Sequence, residues 1–259
     1  MKSVITLLTD FGTADYFVAA VKGVILTINP EVSVVDITHE VPAQDIEAGA
    51  FTLLTCYSDF PSGTIHVAVV DPGVGSARRG IVVHAGSHYF VGPDNGLFSY
   101  ICDRESAYEV FQLTEEKYFR PNPSSSFHGR DVFAPVAAVL STGVKPNEFG
   151  PRIEDEVRLA PLAPVRDQDG SLRGRIIHID HFGNCITNFT RADIPDLDQV
   201  KLLVGRKVIR QFRRFFADEA GKDKLFAIWG SAGFLELSIN GGSAALLLRA
   251  KRGDPVVLS

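Results

Sequence analysis

The segments SVITLLT (Ser3–Thr9) and DYFVAAVKGVILTINP (Asp15–Pro30) begin a strand–helix pattern that decides the fold. The first is an apolar run of strand length, which is typical of a strand buried on both faces of a sheet. The second repeats apolar residues at helical spacing and stops at a proline. The pattern continues with a strand over 32–37, a helix over 45–57 and a strand over 64–70. This β-α-β-α-β order predicts an α/β domain with a mostly parallel sheet and right-handed crossovers.

The middle of the chain departs from strict alternation. Segments 80–85 and 88–92 are apolar runs separated by Gly86 and Ser87, which predicts a hairpin. Two helices are expected next, over 95–102 and over 131–143, and Pro135 is compatible only with the first turns of the second.

The pattern changes after the proline-rich stretch APLAPVRDQDGS (160–171), which is typical of a domain boundary. Short strand-like runs follow at the spacing of a small antiparallel barrel or sandwich. They are expected over 174–180, 185–190, 201–209, 225–230, 233–240, 244–248 and 254–258. We therefore expect an α/β domain over residues 1–165 and an all-β, barrel-like domain over 172–259.

Composition argues against several classes of protein. The 259-residue chain has a net charge of −5, which disfavours a nucleic-acid partner. Cys56, Cys102 and Cys185 show no CxxC spacing, so we expect reduced thiols in a cytoplasmic protein, not disulfides or a zinc site. The apolar run at the start of the sequence is shorter than a signal-peptide core or a membrane span, so we expect no membrane partner.

Polar residues follow three of the expected strands. Asp10 follows the first strand in TDFG, Asp71 the third in DPGVG, and Asp94 and Asn95 lie in GPDNG. Ligands of open α/β sheets bind beyond the carboxyl ends of the strands, and glycine lets the backbone approach a ligand closely. His128 lies in the loop SSSFHGRD before a helix, where binding residues concentrate, whereas Asp131 is explained by the helix dipole. These acids could also hold a divalent cation, which leaves a metal-dependent phosphohydrolase as an alternative.

The β region opens with IDHFGNCITN, which supplies Asp180, Phe182, Asn184 and Asn188 within nine residues. A side-chain amide can both donate to and accept from the edge of a purine, although a bulged strand would also explain this composition. The sequence contains neither GxGxxG nor a P-loop, so the common phosphate-binding motifs are not indicated.

Together, TDFG, DPGVGSARR, GPDNG, FHGRDVFAP, HFGNCITN and GSAGFLELSIN resemble the S-adenosyl-L-methionine (SAM) hydrolase (adenosine-forming) family. Its members are also called SAM hydroxide adenosyltransferases, and they are related to fluorinase and chlorinase. The resemblance implies hydrolysis of SAM to adenosine and L-methionine by water attacking ribose C5′, without a cofactor. It also implies a homotrimer with active sites between subunits.

The resemblance implies a water-activating trio of Asp71, Arg78 and His128, with Arg79 the less suitable of the two arginines. The serine of the halogenase halide pocket corresponds here to Gly129, which favours water over halide as the nucleophile. Asp10 resembles the acid that holds the ribose hydroxyls, and Asn184 the amide that reads adenine. The expected substrate-binding residues are Asp10, Phe11, Asp94, Asn95, Ser126, Phe127, Asp180, Phe182, Asn184, Phe216, Ser231, Glu236 and Ile239.

Within this set, Phe216 resembles the ring under the base, and Asp180 and Ser231 resemble groups around the methionine moiety. Two positions differ from fluorinase: Gln44 replaces an aromatic residue and Ala232 an arginine. A protein that binds SAM or adenosine without turnover is the remaining alternative. Detection of adenosine and methionine after incubation with SAM would distinguish the three.

Overall fold

The computed structural model describes residues 2–194, 200–216 and 224–259. Its chain divides into two compact units, Met1–Pro161 and Leu162–Ser259. The first combines helices with a sheet, and the second is built on another sheet. The expected α/β class is confirmed at this level.

The sheet of the first unit is mixed. Over residues 2–161 its strands are β1 (Val4–Thr9), β2 (Ser33–Thr38), β3 (Ile65–Val69), β4 (Gly80–Ala85), β5 (His88–Pro93), β6 (Tyr108–Gln112) and β7 (Arg152–Ile153). They lie in the order β2-β1-β3-β5-β4-β6-β7. The β2-β1-β3-β5 half is parallel, and the β5-β4-β6-β7 half is antiparallel. A mostly parallel sheet is therefore not confirmed, because the tight β4–β5 hairpin can join only antiparallel strands.

Helices cover both faces of this sheet. They are α1 (Phe17–Ile28), α2 (Ile46–Cys56), α3 (Ser99–Arg104) and α4 (Ala134–Leu140), the last preceded by a π-helical turn over Gly129–Phe133. Ile5 and Leu7 share a hydrophobic core with residues of α1 and α4. Leu8 points to the opposite face, where it lies under Gly49 of α2. This alternation follows from the two-residue period of a strand and explains why β1 carries buried apolar residues on both faces.

A polar cluster is buried beside this core. Thr6 Oγ1 lies 2.7 Å from His66 Nδ1, and His66 Nε2 lies 3.3 Å from His88 Nδ1. The ring of Phe90 stacks on His66, and Tyr57 meets both histidines edge-on. Burial, followed by the neighbouring His88, lowers the pKa of His66 to about 3. His66 is therefore neutral in the folded protein near pH 7.

This cluster predicts acid destabilisation in a defined pH window. An unfolded histidine has a pKa of about 6.5, so between pH 6.5 and pH 3 the unfolded state binds a proton at residue 66 that the folded state does not. The free energy of unfolding should therefore fall as pH falls from 6.5, by about 2 kcal/mol at pH 5 from this group. Urea unfolding of the wild type and of His66→Gln measures this effect, and the variant should lose less stability. Equal losses in both proteins between pH 6.5 and pH 5 would contradict the prediction.

The second unit is built on one sheet of short strands that curls into a half-barrel. Its strands in the described residues are β8 (Val165–Arg166), β9 (Leu172–Ile179), β10 (Cys185–Thr190), β11 (Leu202–Val204), β12 (Lys207–Ile209), β13 (Phe212–Arg213), β14 (Leu225–Trp229), β15 (Phe234–Ile239) and β16 (Pro255–Leu258). The order is β12-β11-β16-β9-β10-β15-β14-β13, with β8 paired to β9. The β13–β14 pair is parallel, and the other pairs are antiparallel.

The strand predicted over 244–248 is wrong, because these residues form a short helix, α5 (Ala244–Leu248). Ser243 caps this helix by accepting a hydrogen bond from the Leu246 N–H, and Arg249 ends it in a left-handed conformation. An apolar run of five residues does not by itself distinguish a strand from a helix, and the preceding serine is the cap that favours the helix.

Candidate functional site

Asp71 lies just beyond the carboxyl end of β3, in a turn whose glycines allow a close approach. A Cβ atom on Gly75 would lie 2.1 Å from the carbonyl oxygen of Ser125, and the φ of Gly75 is +77°. A backbone oxygen cannot move aside as a flexible side chain can, so a side chain at position 75 would force the two loops apart. Glycine thus lets the Asp71 turn lie against the serine-rich loop that precedes His128.

Asp131 also fixes this serine-rich loop through a hydrogen bond. Its Oδ2 accepts a hydrogen bond of 2.9 Å from the Ser124 N–H, and Arg130 and Arg120 donate to its carboxylate. Burial alone would raise the pKa of Asp131, but the bonds from Arg130 and Ser124 lower it to about 2. Asp131 is therefore a buried anchor for the loop, a role beyond the helix-dipole contact expected from the sequence.

Asp71, Arg78 and His128 form one hydrogen-bonded group. Arg78 Nε donates to Asp71 Oδ1 over 2.9 Å, and Arg78 Nη2 donates to Asp71 Oδ2. The same Nη2 lies 2.8 Å from His128 Nδ1. Both side chains of the ion pair are largely buried, and Phe133 lies beneath the guanidinium. The arginine therefore contacts the carboxylate and the imidazole at once.

The contact with Arg78 determines the protonation of His128. A guanidinium only donates hydrogen bonds, so the ring nitrogen that faces it must be the unprotonated acceptor. Burial, followed by the charge of Arg78, lowers the pKa of His128, which keeps the ring neutral near pH 7. A neutral imidazole carries its proton on the other nitrogen, so His128 presents an N–H donor away from Arg78.

The adjacent Arg79 has different partners. Its Nε donates to Asp94 Oδ2 over 2.8 Å, and its Nη1 donates to Asp155 Oδ1 over 2.7 Å. The other oxygen of Asp94 accepts from the Val157 N–H. Successive side chains of an extended segment point to opposite sides, which separates the two arginines. Arg79 thus links the end of β5 to the chain around residue 155.

A cavity of about 250 Å³ adjoins the Asp71 group. The predicted residues Asp10, Phe11, Ser126 and Phe127 line it together with Asp71 and His128. Asp94 and Asn95 do not: Asp94 is paired as described above, and the Asn95 amide donates to the carbonyl of Val70. The structure therefore brings most of the first unit's predicted residues to one cavity.

The sequence singled out Gln44 as a difference from fluorinase, but not as the residue whose backbone orients Asp10. The backbone N–H of Gln44 donates to Asp10 Oδ2 over 2.8 Å, and Gln44 has a φ of +65°, which is unusual for a residue other than glycine. Among the described residues, Asp10 Oδ1 has no hydrogen-bond partner. No side-chain pattern reports a backbone conformation of this kind, so the sequence carried no signal for it.

Two aromatic residues of this cavity's wall, Phe11 and Phe127, are supported by Phe17, which lies outside the lining. The rings of Phe11, Phe17 and Phe127 pack against one another with centroid distances of 5.3–5.9 Å. A Cβ atom on Gly129 would lie 3.2 Å from Phe11. A residue larger than glycine at position 129 would therefore press on this wall.

The second unit holds a separate cavity of about 430 Å³, lined by Phe182, Asn184, Phe216, Ile239, Gly241 and Gly242. Phe182 and Phe216, which both line this cavity, are 75% and 43% exposed and so present a large apolar surface. Sequence reasoning missed Gly241 and Gly242, although a Gly-Gly pair is a recognisable turn signal.

Three other predicted residues of this unit do not line the cavity. Asp180 accepts hydrogen bonds from Phe182, from the Asn184 backbone and from the Asn184 amide. Ser231 lies in the exposed turn between β14 and β15. Glu236 is half-buried beside Gly230, and burial followed by the charge of Asp180 raises its pKa.

Two family models match the chain: the SAM hydroxide adenosyltransferase N-terminal domain over residues 5–150 and the C-terminal domain over 174–257. The chain belongs to the SAM hydroxide adenosyltransferase family. The chain is 40% identical over 256 residues to the (R)-S-adenosyl-L-methionine hydrolase of Salinispora arenicola, covering 96% of this chain and 95% of that protein. It is also 40% identical over 261 residues to the protein of the same name from Thermus thermophilus, covering 97% of each.

More distant sequences and a solved structure agree with this placement. A fluorinase of Actinoplanes is 30% identical over 217 residues, covering 74% of this chain and 73% of that protein. The crystal structure of an uncharacterized conserved protein from Thermotoga maritima superposes with a TM-score of 0.91 at 35% identity. That match covers 98% of this chain and 99% of the Thermotoga chain.

Among the described residues, no group of three or more histidine, cysteine, aspartate or glutamate side chains is placed to hold a metal ion. In the same part of the chain, no helix combines the length and apolarity needed to cross a membrane.

Proposed function

We propose that this protein hydrolyses SAM to adenosine and L-methionine. The observation that carries the proposal is the Asp71–Arg78–His128 group at the edge of a cavity that also presents Asp10. Relatives named (R)-S-adenosyl-L-methionine hydrolase, 40% identical over nearly the whole chain, support the same activity.

The reaction is a displacement at the ribose C5′ carbon. A water oxygen forms a bond to C5′ while the C5′–S bond breaks, and the bonding electrons pass to sulfur. Methionine leaves as a neutral thioether, so the leaving group needs no proton. The attacking water must lose a proton and be held in line with the breaking bond. The group around Asp71 has both an acceptor and a donor with which to do this.

The hydrogen bonds of the group favour Asp71 as the proton acceptor. The Nδ1 lone pair of His128 is already used by Arg78, and the remaining ring nitrogen carries a proton. His128 would therefore donate to the water oxygen and orient it, and the water would pass its proton to the Asp71 carboxylate. Arg78 would keep the carboxylate aligned and stabilise its charged form until the water is in place.

Other residues are proposed to hold the substrate. The Asp10 carboxylate has an oxygen available for the ribose hydroxyls, since Gln44 occupies the other. Asn184 would pair with the edge of adenine, and the exposed rings of Phe182 and Phe216 would cover its face. Gly129 places no side-chain hydroxyl in the first cavity, which favours water over a halide ion as the nucleophile.

We further propose a homotrimer in which the first unit of one subunit shares an active site with the second unit of the next. The family resemblance supports this arrangement, and a head-to-tail contact of this kind closes into a ring. The expected residues also fall into two sets, one in each unit, and part of each set lines a cavity of that unit.

Hydrolysis in ¹⁸O-labelled water tests the reaction itself. The purified protein with SAM should release adenosine that carries the label on its 5′-hydroxyl, because the new C–O bond comes from solvent. Mass spectrometry of the adenosine measures this, and added chelator should leave the rate unchanged. Unlabelled adenosine, a 5′-chlorinated product in chloride buffer, or binding of SAM without product would contradict the proposal.

A further inference from the structure

Both oxygens of the Asp180 carboxylate accept hydrogen bonds from residues of the same turn. Its Oδ1 accepts from the backbone N–H groups of Phe182 and Asn184, at 2.9 and 2.8 Å. Its Oδ2 accepts from the Asn184 side-chain amide over 2.8 Å. Asp180 thus contacts the side chain that lines the cavity of the second unit, without lining that cavity itself.

This contact leaves the Asn184 amide a single orientation. An ionised carboxylate can only accept hydrogen bonds, so the amide must turn its NH₂ group toward Asp180. The reversed amide would place two acceptor oxygens about 2.8 Å apart at a buried position. In the allowed orientation, the carbonyl oxygen and the second N–H of Asn184 remain for a ligand, because no other partner of these atoms lies among the described residues.

We infer that Asp180 is a positioning residue that orients the Asn184 amide and so makes the site select a purine with an amino group at C6. This inference rests on the proposed function, in which adenine lies against Asn184. It gives Asp180 a role distinct from the methionine contact expected from the sequence.

The selectivity follows from the order of donors and acceptors on each base. The C6 amino group of adenine donates to the fixed carbonyl oxygen of Asn184, and the adjacent ring nitrogen accepts from its N–H. Hypoxanthine, the base of inosine, has an acceptor oxygen at C6 that would face the same carbonyl oxygen. An unconstrained amide could rotate to suit inosine, but the Asp180 carboxylate opposes that rotation.

Calorimetric titration with adenosine and with inosine tests the inference on the full-length protein. The wild type should bind adenosine more tightly, by a factor on the order of ten or more. In Asp180→Asn, the side-chain carbonyl oxygen must take the place of Oδ1, because only an oxygen can accept from the two backbone N–H groups. The new NH₂ group then faces Asn184 and favours the reversed amide. The preference for adenosine should therefore be lost, so the ratio of the inosine to the adenosine dissociation constant should fall to about one or below.

The ratio of the two dissociation constants separates positioning from a general structural effect. Damage to the turn would weaken the binding of both nucleosides alike and leave this ratio unchanged. Asp193→Asn is the matched control, because Asp193 accepts from the backbone N–H and the hydroxyl of Thr190 at the other end of β10, away from Asn184. It should keep the wild-type ratio. If Asp180→Asn does not fold, Asp180→Ser retains a hydroxyl to cap the turn but is too short to orient the amide, so it should lower the ratio in the same way.

Several results would overturn the inference. They are an unchanged ratio in the folded Asp180 variant, an equal loss of ratio in Asp193→Asn, and a wild type that binds both nucleosides alike or neither. Turnover of SAM by the same wild-type preparation tests the proposed function separately. Adenosine release without any preference for adenosine over inosine would reject the role of Asp180 and leave the hydrolase activity standing.

Discussion

Replacing Arg78 with glutamine is expected to slow the release of adenosine from SAM by about 10²- to 10³-fold. The variant loses the paired bonds to Asp71 and the bond that holds His128, so neither group stays aligned on the water. Steady-state kinetics should show most of the loss in kcat, because alignment of the water matters in the transition state. Because Asp71 also loses its partner in a largely buried ion pair, the unfolding temperature should fall as well, so kcat is compared for the folded fraction.

Arg79→Gln is the matched control, since it changes the next residue and the same chemical group. Arg79 pairs with Asp94, whose side chain is 2% exposed, and removal of one partner of a buried pair costs about 3–5 kcal/mol. This variant should therefore unfold at a lower temperature, while the kcat of its folded fraction stays close to that of the wild type. A greater loss of kcat in Arg79→Gln than in Arg78→Gln would reverse the proposed roles of the two arginines.

Mixing two impaired variants is expected to restore activity. Asp71→Ala removes the proposed proton acceptor from the first unit, and Asn184→Ala removes the proposed base contact from the second. Each variant alone should release adenosine much more slowly than the wild type when the SAM concentration is below the wild-type KM. If sites are shared between subunits, a mixed ring contains pairs in which an intact first unit meets an intact second unit. Unfolding an equimolar mixture and refolding it should then produce active sites that neither parent has.

The size of the recovery is also predicted. In a randomly mixed ring, the chance that one subunit keeps Asp71 and its neighbour keeps Asn184 is one-half times one-half, so about a quarter of the sites are intact. The control is each variant unfolded and refolded alone. Mixed trimers, verified by mass spectrometry, that show only the average activity of the two parents would reject shared sites.

Local sequence patterns predicted the order of elements in the first half of the chain. The helix begins after Asp45 as expected, because an aspartate there can accept a hydrogen bond from the first turn. The prediction failed at 244–248, where five apolar residues carry too little periodicity to distinguish a strand from a helix. The parallel character of the first sheet was also overestimated, since β6 and β7 extend the antiparallel half and neither was expected.

The sequence by itself determined the succession of strands and helices up to residue 70, the polar residues after each strand, and the resemblance to a family. These depend on residues near one another along the chain. The family resemblance had already favoured Arg78 over Arg79 as the partner of Asp71. Only the tertiary structure decided that Asp94 is paired with Arg79 and that the Gln44 backbone orients Asp10. These two contacts join groups 15 and 34 residues apart. They depend on where the folded chain brings the backbone, and a linear pattern of side chains does not encode that path.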